Sequence, residues 1–149
     1  MSTNVSFTEG STSSVWSARY SHSSAVFDDK LWVMGGNGSS NLNDIWFTTD
    51  GSSWTEVTTS SVWSARYAHT CAVFDNKLWV MGGIDSNHKN DVWFTTDGSS
   101  WTEVTTTSVW SVRHALTSAV FDNKLWVMGG YGGSNLNDVW FTTVWFFLD

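Results

Sequence analysis

The sequence predicts an all-β protein built from one 47-residue unit that occurs almost three times. The same string, Ala-Val-Phe-Asp-Asp/Asn-Lys-Leu-Trp-Val-Met-Gly-Gly, begins at Ala25, Ala72 and Ala119, which sets the period. Within each unit, four short apolar and aromatic runs are separated by turn residues, as expected for β-strands. The chain also has no proline and no helical periodicity. A fixed period in this range is typical of solenoids and propellers.

In the middle unit, the four runs predict strands A, B, C and D at residues 69–74, 78–81, 91–96 and 101–105. Strand B is apolar almost without interruption, whereas a sheet with one solvated face would show alternation. We therefore expect this sheet to be covered on both faces, as in the blades of a propeller.

Turn residues mark the ends of these strands. Asp75-Asn76 between A and B, and Asp97-Gly98 between C and D, predict tight hairpins because these residues tolerate positive φ. Gly82-Gly83 predicts that strand B ends where a side chain would collide with neighbouring backbone.

Together these residues resemble the kelch motif. The middle unit carries its elements in order, namely Arg66, His69, Leu78, Trp79, Gly82, Gly83, Asp91, Trp93 and Trp101. Trp79 stands where kelch units more often have Tyr, and in the third unit Leu116 replaces the His while His114 replaces Tyr67. The resemblance implies an all-β, kelch-type propeller of four-stranded antiparallel blades, with strand A innermost and strand D outermost.

The unit boundaries divide the chain into blade 1 (residues 15–61), blade 2 (62–108) and blade 3 (109–149), preceded by residues 1–14. Phe7-Thr8-Glu9 aligns with Trp54-Thr55-Glu56, which belongs to strand D. Blade 3 matches the unit only as far as strand C, after which a Val-Trp-Phe-Phe-Leu-Asp tail follows. The first segment is therefore predicted to be an outer strand D that completes a blade, which we expect to be blade 3 of a partner chain.

Three blades span about half of a ring, since propellers close with four to eight, and the bare blade faces would drive association. We therefore expect a homodimer that forms a six-bladed ring by strand exchange. A truncated piece of a longer array is the alternative. The residues predicted to close the dimer are Val5, Phe7, Thr8, Glu9, Trp140, Trp145 and Phe147.

The units differ most in the B–C loop, at residues 37–42, 84–89 and 131–136. The D–A loop emerges on the same rim and carries a tryptophan and an arginine. In kelch substrate adaptors of ubiquitin ligases, the arginine at this place helps to bind acidic peptides, so the resemblance implies a ligand role here. The predicted ligand-binding residues are Arg19, Arg66, Arg113, Trp16, Trp63, Trp110, Asn37, Asp85, His88 and Tyr131. The alternative is that the arginines tie neighbouring blades together and that the tryptophans pack between blades.

No catalytic or metal-binding pattern is present, and we expect neither enzymatic activity nor a cofactor. The four histidines lack metal-ligand spacing, and the Asp-Gly pairs lack the alternating acidic ligands of a calcium loop. Cys71 is the only cysteine, so neither an internal disulfide nor a cysteine-based zinc site can form.

A net charge of −7 argues against nucleic acid and anionic membranes as partners. No apolar stretch reaches the length of a membrane span, and no signal peptide is visible at the start, so we expect a soluble protein. The sequence thus predicts a non-catalytic scaffold that binds itself and an acidic or polar peptide. A carbohydrate-binding lectin and a symmetric designed or model propeller without a ligand are the alternatives.

Overall fold

The computed structural model describes residues 4–10, 15–57, 62–104 and 110–143. Across these residues the chain is all β, with three antiparallel sheets. None of the described residues forms a helix that is long and apolar enough to cross a membrane.

Each sheet corresponds to one predicted blade, with its strands in sequence order. Blade 1 contains β1 (Ser23–Phe27), β2 (Lys30–Asn37), β3 (Asn41–Thr48) and β4 (Thr55–Glu56). Blade 2 contains β5 (Thr70–Phe74), β6 (Lys77–Met81), β7 (Val92–Thr95) and β8 (Thr102–Glu103). Blade 3 contains β9 (Thr117–Phe121), β10 (Lys124–Tyr131) and β11 (Asn135–Phe141), with no fourth strand among the residues described.

The A–B turns form as predicted, whereas the C–D turns do not. Asp75 and Asn76 both have positive φ, 52° and 53°, as a two-residue hairpin turn requires. Between β7 and β8, Gly98 has a φ of 79°, but Asp97 is not in that region. Instead, the Asp97 carboxylate accepts hydrogen bonds from the backbone N–H groups of Ser99 and Ser100, each 2.8 Å long. The prediction of a tight C–D hairpin was wrong, because the aspartate side chain stabilises a longer turn.

The glycine pair ends strand B only in the middle blade. In blade 1, β2 continues through Gly35-Gly36 with a register shift and pairs Asn37 with Asn41. Blade 3 does the same up to Tyr131. In blade 2, the loop sequence Ile-Asp-Ser-Asn-His-Lys instead folds around Asp85, whose carboxylate accepts from the N–H of Asn87. The loop composition, not the glycine pair, therefore decides where the strand ends.

The hydrophobic core lies between blades rather than within one sheet. Leu78 and Val80 of β6 pack with Trp32, Met34 and other residues of blade 1. Met81, also on β6, packs toward blade 3. Both faces of β6 are thus covered, as its uninterrupted apolar run predicted.

The innermost strands β1, β5 and β9 contact one another in sequence order. The Oγ atom of Ser23 lies 2.8 Å from Nε2 of His69, and the hydroxyls of Thr70 and Ser118 are 2.7 Å apart. These hydrogen bonds join neighbouring blades at the centre of the arrangement.

Candidate functional site

The candidate site is the rim formed by the B–C and D–A loops. The repeated arginine is the most completely bonded side chain on this rim. Arg66 donates from Nε to the Ser64 carbonyl, from Nη1 to the Gly82 carbonyl and Asp91, and from Nη2 to the Ser64 hydroxyl and Asp91. These bonds are 2.5 to 3.1 Å long and use all five N–H donors of a guanidinium. The side chain is also buried. It therefore offers no unused donor to a ligand in this conformation.

The same arrangement occurs in the other two blades. Arg19 binds Asp44 with both terminal nitrogens, and Arg113 binds Asp138 in the same bidentate way. Each aspartate also accepts a hydrogen bond from the indole N–H two residues later, as Asp138 does from Trp140. The hydrogen bonds from Arg113 and Trp140 hold the pKa of Asp138 well below its usual range, so the pair stays charged at neutral pH.

The arginine backbone also joins adjacent blades. The Gly36 N–H donates to the Arg66 carbonyl at 2.9 Å, and the Arg66 N–H donates to the Leu42 carbonyl at 3.0 Å. A Cβ on Gly36 would lie 2.9 Å from the Tyr20 carbonyl oxygen, which is too close for a side chain. The glycine pair is thus required by the close approach of the neighbouring backbone.

Two of the three D–A tryptophans pack against the tryptophan that precedes strand D of the same blade. The rings of Trp63 and Trp101 meet edge to face, with centroids 4.4 Å apart, and those of Trp16 and Trp54 do the same at 4.2 Å. Trp63 and Trp110 are buried, whereas Trp16 is half-buried. Of the predicted ligand set, the arginines and these tryptophans are therefore mainly enclosed in the fold.

A cluster of exposed and half-exposed side chains forms the rest of the rim. Tyr20 and Tyr67 lie with ring centroids 6.2 Å apart. His88 and Tyr131, which the sequence singled out, lie 5.9 Å apart, and His114 contacts both rings. The strand pairing places Tyr20, Tyr67 and His114 beside the variable loops. Tyr20, Tyr67 and His114 occupy equivalent positions in the repeat, so the period could have identified them as part of the rim.

The two remaining candidates are engaged in local contacts. Asp85 pairs with Lys89 at 2.7 Å and accepts a hydrogen bond from the Ser64 hydroxyl. The Asn37 amide donates to Asn41 at 2.6 Å. Both shape their loops and lie on the rim surface.

All seven cationic side chains of the chain are paired with an aspartate. The sequence carries seven further acidic residues, which account for the net charge of −7. The rim therefore has little electrostatic attraction for an acidic ligand.

The inner histidine, His69, contributes to the junction between blades 1 and 2. Burial, followed by the charge of Arg66, lowers the pKa of His69 to about 4, so the ring is neutral at pH 7. Leu116 occupies the equivalent position in blade 3 and is buried. Among the described residues, no group of three or more His, Cys, Asp or Glu side chains is arranged to hold a metal ion.

The predicted closure residues fall into three groups. Val5, Phe7, Thr8 and Glu9 are exposed and lie outside any strand. Trp140 lies on β11, the outermost described strand of blade 3. Trp145 and Phe147 lie outside the described residues.

Repeated antiparallel sheets, joined through their inner strands and packed face to face, define this chain as a blade-repeat protein. It matches the family model of the KLHDC2/KLHL20/DRC7 Kelch-repeats domain over residues 3–144. The chain therefore belongs to the kelch-repeat family, as its motif predicted. No curated protein matches it.

Proposed function

We propose that the protein is a non-catalytic scaffold that pairs with a second copy to form a six-bladed ring. The rim that carries Tyr20, Tyr67, His88, His114 and Tyr131 would bind a protein or peptide. Kelch repeats form propeller scaffolds for protein binding, and family membership supports that general role. The homodimer and the choice of ligand go beyond it.

The exposed outer face of blade 3 carries the dimer proposal. Phe74 of blade 2 is 8% exposed, whereas Phe121 at the equivalent position of blade 3 is 71% exposed. Ile45 of blade 1 is 1% exposed, against 57% for the equivalent Val139. Ile45 and Phe74 each face the following blade, whereas Phe121 and Val139 lie on the outer face of blade 3, which no described blade covers. Burial of such surface is the main favourable term in association.

The hydrogen-bonding groups at the two ends are complementary. The Gly36 N–H binds the carbonyl of Arg66, and the Gly83 N–H binds that of Arg113. By the same rule, Gly130 of one copy would donate to the Arg19 carbonyl of a second copy. Blade 3 of each copy can then meet blade 1 of the other, and two such junctions close a six-bladed ring.

The ring is tested by the mass in solution. Light scattering at micromolar concentration should give a species of about twice the 16.6 kDa chain mass. A compact monomer would contradict the dimer, and a nine-blade trimer would contradict the six-bladed ring.

For the ligand, the paired arginines favour a polar peptide over an acidic one. The exposed rings of Tyr20 and Tyr131 can stack on a ligand, and the B–C loops add amide and hydroxyl groups. A glycan is the second candidate, because paired aromatic rings beside Asn- and Ser-rich loops also suit sugar recognition.

A peptide library in acidic, neutral and basic versions, screened beside a glycan array, separates these candidates. We expect neutral polar or basic peptides to bind, and Tyr20→Ala together with Tyr131→Ala to abolish binding without changing the mass. Binding of acidic peptides alone would contradict the charge argument. Binding of glycans alone would establish the lectin alternative. No binding in either screen would indicate a propeller without a ligand.

A further inference from the structure

An apolar cavity of about 340 Å³ lies between blades 2 and 3. We call it the blade 3 pocket. Its lining comes from the core positions of both blades and from the end of β11, and includes Trp79, Val104, Trp110, Leu125, Trp140 and Thr143. An apolar space of this size is unusual in a well-packed domain.

The junction between blades 1 and 2 shows what normally fills this place. There Trp101, just before β8, lies edge-on against Trp63. The C–D turn covers Trp32 so closely that a Cβ on Gly98 would lie 2.1 Å from its ring. Trp110 is the counterpart of Trp63, and among the described residues no aromatic ring packs against it in this way.

The edge of β11 next to the pocket is also free of a described partner strand. In blade 1, Trp46 pairs with Glu56 and Phe47 with Thr55. In blade 2, Trp93 pairs with Glu103 and Phe94 with Thr102. On β11 the corresponding Trp140 and Phe141 are exposed. An exposed strand edge of this kind readily pairs with another strand.

One described segment of the chain carries the residues that would fit. Phe7-Thr8-Glu9 corresponds to Trp54-Thr55-Glu56, and Phe7 is 97% exposed. Covering this ring with another apolar surface would be favourable, because it removes apolar area from water.

The position of residues 5–9 in the chain indicates that the segment bound at the blade 3 pocket comes from a second copy. Glu9 precedes β1 by the same interval that separates Glu56 from β5 and Glu103 from β9. In those two cases the interval connects strand D of one blade with strand A of the next. Residues 5–9 are therefore placed to complete the blade that adjoins blade 1, whereas the blade 3 pocket of the same chain lies beyond blade 2.

We infer that the blade 3 pocket is the binding site for Phe7 of a second copy, whose residues 5–9 pair antiparallel with β11. The expected register sets Glu9 opposite Trp140 and Thr8 opposite Phe141, with the Phe7 ring edge-on against Trp110. This inference rests on the proposed dimer. It adds a specific contact, Phe7 in the blade 3 pocket, that would stabilise the dimer.

The first test measures the dimer dissociation constant by sedimentation equilibrium. Phe7→Ala should weaken the dimer at least tenfold, because it empties the pocket. Phe7→Trp restores the residue of the other two units and should match or tighten the wild-type dimer. Val73→Ala, at an exposed position of the middle blade away from both end faces, should leave the dissociation constant unchanged.

The second test is a disulfide between Glu9→Cys and Trp140→Cys, in a Cys71→Ser background that copies Ser24 and Ser118. Glu9 and Trp140 would form a non-hydrogen-bonded pair, with Cα atoms about 4.5 Å apart, within the range of a disulfide. Thr8→Cys with Trp140→Cys is the control, because adjacent residues face opposite sides of a strand. We expect a covalent dimer from the first pair and none from the second.

The outcomes separate this inference from the proposed ring. A wild-type monomer would overturn both. A wild-type dimer whose dissociation constant is unchanged by Phe7→Ala would overturn only the Phe7 site. A Glu9–Trp140 disulfide within one chain would also overturn it, because the pocket would then hold the chain's own segment. Absence of the designed disulfide in a stable dimer would contradict the register.

Discussion

The two inter-blade junctions of this chain use nearly the same residues, yet the described residues fill only one of them. Between blades 1 and 2, Trp101 packs on Trp63 and the C–D turn lies over Trp32. Between blades 2 and 3, the equivalent space is an apolar cavity of about 340 Å³ beside Trp110.

The polar part of the two junctions is nevertheless the same. The Gly36 N–H to Arg66 carbonyl bond and the Gly83 N–H to Arg113 carbonyl bond are both 2.9 Å long. The inner strands and the arginine loops therefore set the spacing of the blades, whereas strand D fills the outer part of the junction. Where no strand D is described, in blade 3, the spacing is unchanged and a pocket is present.

The largest expected effect comes from removing the arginine side chain that is fully bonded within its own blade. Arg66→Ala should reduce the free energy of unfolding by about 5 kcal/mol, because it leaves Asp91 and two carbonyls without their donors. Urea unfolding measures this loss, and Arg66→Lys should recover less than half of it, since Lys cannot make the bidentate contact. A stable Arg66→Ala variant that only loses peptide binding would instead assign the arginine to a ligand.

Removal of Trp101 should convert the filled junction into a copy of the open one. Trp101→Ala is expected to cost about 3–4 kcal/mol of stability, from lost burial and the cavity that remains. Glu103→Ala, at an exposed position of β8, is the control and should change stability by less than about 0.5 kcal/mol. Equal stability of the two variants would show that strand D contributes little to the junction.

The inner histidine should make the first junction sensitive to acid. Folding holds the pKa of His69 near 4, below the usual value of 6.5. Between these values the unfolded chain binds the proton and the folded chain does not, so stability falls as the pH drops through this window. The loss from His69 between pH 7 and pH 5 should be about 2 kcal/mol.

His69→Leu, which copies Leu116 of blade 3, provides the comparison. We expect chemical unfolding of this variant to show a pH dependence smaller by that amount than wild type. An unchanged pH dependence would assign the acid sensitivity to other groups.

The smallest expected effect concerns the tail, whose residues lie outside those described. From the sequence we predict that it prolongs strand C or covers the junction with the partner, because five consecutive apolar residues would otherwise be an aggregation hazard. Truncation after Thr143 should raise the dimer dissociation constant roughly fivefold, or by about 1 kcal/mol. An unchanged dissociation constant would contradict this role.

Much of the fold could be predicted because its signals are local. The inner and middle strands of blade 2 lie within one residue of their predicted limits, and Asp75-Asn76 forms the predicted turn. The C–D turn was missed, because the Asp97 side chain bonds to backbone two and three residues ahead and thereby replaces the tight hairpin.

The sequence by itself determined the repeat, the strands, the family and the two-sided burial of the middle sheet, because period and apolar pattern are properties of neighbouring residues. Only the tertiary structure decided how the arginine of the rim is bonded. Arg66 finds its acceptors 16 and 25 residues away, at Gly82 and Asp91. Bonds across such separations depend on how strands B and C return past the D–A loop, so the arginine becomes a fully bonded part of the blade through the fold of the whole unit.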